Sequence, residues 1–207
     1  DRPKIKYDMN LYVTQLNELI NYLSIDNAIL YGTSMGAPIA VSYSNKYPNL
    51  VLAVGLQVPL VYIESTMLSI MKVPYVGNIL FHFFGISFIK NRVLAWPSGN
   101  ENQSVFIEKY IEQLTLPGTK QSILSSLRNV GSKDFYPSYL NFSKLNIPVH
   151  ISYANDDDEI DPASVQRVLE TTPHAESFIF SGGHGGGARI VPEIINIFTK
   201  FLAKTLN

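Results

Sequence analysis

Ala28-Ile29-Leu30-Tyr31-Gly32-Thr33-Ser34-Met35-Gly36-Ala37-Pro38-Ile39-Ala40 runs from a short apolar stretch, through a serine bracketed by two glycines, into a segment of small residues. The apolar run 28–31 reads as a buried strand closed by Gly32, and 35–47 reads as a helix that stops before Pro48. Pro38 fits because the first helical turn has N–H groups without partners. Strand, sharp turn and helix around G-x-S-x-G make the pattern of a nucleophile elbow, in which a strained turn projects the serine hydroxyl. Glycine is needed on both sides, since side-chain bulk there would meet neighbouring backbone. Ser34 is the candidate nucleophile. The Met35 N–H, at the start of the helix, is the candidate oxyanion donor.

Working outward, Met9, Tyr12, Val13, Leu16, Leu19, Ile20 and Leu23 recur at three- and four-residue steps, the stripe of an amphipathic helix. The run 50–56, broken only by Gly55, reads as a second buried strand. From 59 to 145 the character changes to aromatic-rich apolar stretches with several prolines and glycines, read as a mostly helical insertion. Alternation resumes with a strand at 149–153, a helix at 162–170, a strand at 177–180 and a closing helix at 190–202. Strands alternating with helices predict an α/β fold with a mostly parallel sheet and flanking helices. The expected organisation is 1–58 as core, 59–145 as a cap-like insertion and 146–207 as core again.

The 207 residues suit a single domain, and 46% hydrophobic with 16% charged residues suits a packed one. A formal net charge of −1, with no run of Lys and Arg, argues against a nucleic-acid partner. The chain has no cysteine, which removes disulfides, thiolate metal sites and cysteine nucleophiles together. The stretch 73–89 is short of the ~20 apolar residues of a spanning helix and is broken by Pro74, Gly77 and Gly85, so a membrane partner is not expected. With no signal peptide visible, the expected compartment is the cytoplasm.

The strand and elbow, 25–36, resemble those of the α/β-hydrolase superfamily, in its cap-bearing esterase-like and carbon–carbon hydrolase-like branch; Thr33 stands where that family often has histidine. The resemblance implies a triad in the chain order serine, acid, histidine. His184, in Gly182-Gly183-His184-Gly185-Gly186-Gly187 after the last strand, is then the general base. The acid falls in Asn155-Asp156-Asp157-Asp158-Glu159: counting from the strand favours Asp157, and counting back from Pro162 favours Asp158. Asp161 reads as an N-cap with Pro162 at the first helical position, and Asp156 as a solvated carboxylate. His82, His150 and His174 have no metal-like spacing partner. Phe81, Phe84, Phe88 and Trp96 in the insertion are candidate substrate-pocket residues, with packing of the insertion's own core as the alternative.

The implied chemistry is cleavage of a carboxylic ester or related acyl bond, with no metal or organic cofactor and a small acyl compound as substrate. A carbon–carbon bond hydrolase of the same fold and a non-catalytic hydrolase-fold binding protein are the alternatives. A complete member of the family would carry more strands before residue 9, including a second oxyanion donor. The chain is therefore expected to be the C-terminal part of such a fold, its sheet completed by a missing N-terminal segment or a second chain.

Overall fold

The computed structural model describes residues 2–95 and 103–206. They form two compact units, Asp1–Asp8 with Glu64–Ser132, and Met9–Ile63 with Lys133–Asn207.

The larger unit is built on four parallel strands in the order β1 (Ala28–Thr33), β2 (Val51–Gln57), β3 (Val149–Ala154) and β4 (Glu176–Phe180). Burial follows position in the sheet. Every residue of inner strand β3 is buried, whereas β1, an edge among the described residues, alternates and leaves Ile29 and Tyr31 exposed. Helix α1 (Met9–Tyr22) buries Val13 and Ile20, two turns apart on one face. Helix α2 (Gly36–Lys46) carries the chain from β1 toward β2, which a 3₁₀ turn at Pro48–Leu50 delays to Val51.

The smaller unit is helical: α3 (Thr66–Lys72), α4 (Val76–Leu80), α5 (Ile86–Leu94), α6 (Gln103–Thr115) and α7 (Thr119–Ser126), with π-helical turns at Phe81–Gly85 and Leu127–Gly131. Met71, Phe81 and Leu124 form its core. Its first segment is tied in where the Tyr7 N–H donates to Ser125 Oγ at 2.9 Å. The region expected as an insertion over 59–145 therefore divides between the units. Residues 133–145 belong with the sheet, where α8 (Tyr136–Phe142) buries Tyr139 and Phe142 and the Tyr139 hydroxyl donates to the Leu60 carbonyl. Burial raises the Tyr139 phenol, so this donor stays protonated.

Two further helices complete the larger unit: α9 (Pro162–Thr171), which Asp161 caps by accepting from the Ala163 N–H, and α10 (Val191–Thr205). Val58, Ala154, Phe180 and Ile194 pack together at the C-terminal ends of β2, β3 and β4. Full burial of a Val, Ile or Phe side chain stabilises by roughly 1.5–3 kcal/mol, so the loops at this edge of the sheet rest on a firm apolar base.

His150 of β3 is buried between the sheet and α10, with its ring 6.1 Å from that of Phe198 and 5.7 Å from that of Phe201. Burial holds its imidazole below the usual range, and Glu176, its register partner on β4, opposes that shift in part. The unfolded chain therefore takes up a proton that the folded chain refuses, and stability falls as pH drops below about 6.5. The urea midpoint should decline between about pH 8 and about pH 5.5, and His150→Leu should flatten that decline; an unchanged slope in the variant would remove His150 from the account.

Candidate active site

Ser34 lies between β1 and α2 with φ at +52°, a left-handed conformation that a side-chain-bearing residue adopts only under constraint. The constraint is visible in its hydrogen bonds. The Ser34 N–H donates to the Gln57 carbonyl at the end of β2 (2.9 Å), and the Ser34 carbonyl accepts from Ala37 (3.0 Å) and Leu60 (3.2 Å). Turning this sharply brings Gly36 back over Gly32. A Cβ on Gly32 would lie 2.6 Å from the Gly36 carbonyl carbon and 2.8 Å from Ala37 Cα, so only glycine fits. Met35 is the N-cap rather than the first residue of α2, which puts its amide at the positive end of the helix.

His184 reaches Ser34 from the loop after β4, with Nε2 3.0 Å from Ser34 Oγ and Nδ1 2.9 Å from Asp157 Oδ2. An ionised carboxylate only accepts, so Nδ1 carries the proton and donates to Asp157, while Nε2 presents its lone pair to the Ser34 hydroxyl. Both partners are withdrawn from water: the side chains of His184 and Asp157 are 10% and 4% exposed. Asp157 is itself held, since its Oδ1 accepts from the Glu159 N–H (2.9 Å) and the Ile160 N–H (3.0 Å). Of the two candidate acids, Asp157 meets His184, and Asp158 is exposed and outside this hydrogen-bonded path.

Two acidic neighbours escaped the sequence reading. Asp156, expected to be solvated, is exposed, and it also accepts from the Gly182 N–H (2.9 Å) and the Gly183 N–H (3.0 Å). Gly182 and Gly183 have φ of +117° and +69°, which turns both amides toward one carboxylate just ahead of His184. Those amides, Gly183 first, hold the Asp156 carboxyl below its ordinary range. The second neighbour is Glu159, whose Oε2 lies 3.8 Å from His184 Nε2. The glycine pair before His184 was the one signal in sequence for an amide-lined carboxylate; nothing in spacing alone brings Glu159 to Nε2.

The remaining candidates lie in the helical unit. Phe81 is packed into that unit's core with Met71 and Leu124, which is the alternative weighed for it, while Phe84 and Phe88 are exposed. Trp96 lies outside the described residues. Among the described residues, no group of three or more His, Asp or Glu side chains is placed to hold a metal ion.

The geometry separates the carboxylates by effect on Ser34 reactivity. The labelling rate of Ser34 by a serine-directed phosphonate should fall about 10³–10⁴-fold in Asp157→Asn, as for loss of a triad orienter. It should stay within about twofold of the parent in Asp158→Asn, as for a surface change away from such features. Asp156→Ala should slow labelling about tenfold by freeing the loop that carries His184. Because the folded Asp156 carboxyl is depressed, its hold on that loop persists down through the ordinary aspartate range and is lost only below it.

No protein-family model matches the sequence, and no curated protein sequence matches it. Solved structures do. A bromoperoxidase from Bacillus anthracis is similar with a TM-score of 0.79 at 17% identity, over 98% of this chain and 77% of that one. An enol-lactonase from Burkholderia xenovorans gives 0.78 at 16% identity over 98% and 76%. A meta-cleavage product hydrolase from Pseudomonas fluorescens gives 0.73 at 18% identity over 99% and 75%. With parallel strands, a serine at the turn after β1 and a histidine loop after the last strand, the chain has the α/β-hydrolase fold.

Proposed function

We propose that this chain is a serine hydrolase that cleaves a carboxylic ester or a related acyl bond through an acyl-enzyme on Ser34. The observation that carries the reading is the continuous hydrogen-bonded path from Ser34 Oγ through His184 to Asp157, at 3.0 and 2.9 Å. In this mechanism His184 Nε2 takes the Ser34 proton as Oγ attacks the carbonyl carbon, and the imidazolium then gives that proton to the leaving oxygen. Asp157 stabilises the imidazolium through Nδ1, and the nearby Glu159 carboxylate adds to that stabilisation. Negative charge on the tetrahedral intermediate faces the Met35 N–H at the start of α2. Water, activated by the same histidine, releases the acid and restores Ser34.

A carbon–carbon bond hydrolase is the second reading, favoured by the likeness in fold to the meta-cleavage product hydrolase. The same three side chains serve it, but the group that leaves is a carbanion equivalent rather than an alkoxide.

Hydrolysis of p-nitrophenyl esters of graded acyl length, with Ser34→Ala as control, tests the first reading. Turnover in the parent chain with a loss of about 10⁴-fold or more in the variant is the expected result. Equal turnover in both would remove Ser34 from the mechanism, and turnover confined to vinylogous diketones would favour carbon–carbon cleavage.

A further inference from the structure

The helical unit carries an apolar face with no cover among the described residues. From Val76 to Leu94, α4, the π-turn and α5 follow one another without a break. Gly77, Phe81, Gly85 and Val93 are buried along this stretch. Ile79, Phe83 and Phe84 point outward and are 59%, 68% and 66% exposed, with Tyr75 and Val76 exposed beside them. The Phe83 ring meets those of His82 and Phe84 at 5.1 and 6.4 Å, which makes a cluster of rings at the surface. Isolated apolar side chains on a surface are ordinary, but a contiguous group of bulky ones marks a contact.

Charge identifies the partner. Between Glu64 and Glu101 the sequence has no Asp or Glu, while it has Lys72, Lys90 and Arg92. Lys120 adds another cation there, donating from Nζ to the His82 carbonyl at 2.9 Å. A stretch of chain with exposed phenylalanines, several cations and no acidic residue has the composition of a surface that rests in the headgroup layer of an anionic bilayer. Spanning is not required. No single described helix is long and apolar enough to cross a membrane; α3 and the stretch Val76–Leu94, bent by 113°, reach that length and apolar composition only together, so the apolar surface is there without a continuous span. A second copy of the chain fits less well, because a two-fold interface would set the same cations against each other.

We infer that the Ile79–Phe84 face of the helical unit, with Lys120 beside it and Lys90 two turns further along the same stretch, docks on the surface of membranes containing anionic phospholipid. The inference is independent of the chemistry at Ser34, and its test reads binding alone. The chain is sedimented with vesicles of phosphatidylcholine, and with vesicles of phosphatidylcholine containing phosphatidylglycerol, at low and high salt. Binding is expected to the second kind only, with release by salt. Ile79→Ser with Phe83→Ser should weaken it about tenfold or more, since two exposed apolar anchors are removed. Circular dichroism and the unfolding midpoint establish that the variant is folded. Lys90→Glu with Lys120→Glu should abolish binding while leaving every apolar side chain of the face in the sequence, and decides the matter if the first variant does not fold. Equal sedimentation with both kinds of vesicle, or with neither, overturns the inference. So does a concentration-dependent dimer that the same substitutions dissolve while vesicle binding is absent, which assigns the face to a second copy.

Discussion

The close approach of Gly36 to Gly32 is the constraint on which the site depends. It forces Ser34 to a positive φ and thereby ends β1 and starts α2 within two residues. A left-handed serine costs of order 1–3 kcal/mol, which the backbone bonds to Gln57, Ala37 and Leu60 offset. The outcome is a Ser34 Cα–Cβ direction fixed by main-chain geometry, with Oγ held against His184 Nε2.

The same device repeats across the sheet. Beyond the ends of β1, β2 and β3, one amide reaches over to the carbonyl of the next strand or its end: Ser34 to Gln57, Val58 to Ser152, Asn155 to Phe180. Each bond extends the parallel ladder by a step and fixes where the following loop leaves the sheet. Because these steps share one edge, the serine turn, the acid turn and the histidine loop are delivered side by side. Fine placement is then local: the amides of Glu159 and Ile160 hold Asp157, and Asp156 holds Gly182 and Gly183.

What could be read in the sequence was whatever depends on neighbouring residues. The run into Gly32-Thr33-Ser34-Met35-Gly36 carried its own turn, and the order of strands and helices after residue 146 followed from apolar periodicity. The choice between Asp157 and Asp158 did not, since one residue of loop geometry rotates one carboxylate toward His184 and the other to solvent. Asp156 is exposed as expected, but its partners were not legible for a related reason: they are amides 26 and 27 residues away, made available by positive φ at two glycines. The helical unit was legible only as helical. Its short elements, joined through π-turns, interrupt the 3.6-residue period that marks longer helices, and nothing in composition separated 133–145 from it.

The relay draws its three side chains from positions 34, 157 and 184, and its Ser34–His184 hydrogen bond spans 150 residues of chain. Asp157 and His184 follow the adjacent strands β3 and β4, but Ser34 follows β1, with β2 and β3 between it and β4, so the Ser34–His184 pair forms only after the non-local strand pairings have closed. Closing such pairings is the slow part of folding parallel sheets. The Ser34–His184 hydrogen bond is therefore a clock for the end of folding, and its appearance during refolding would time the last strand contacts rather than the first collapse.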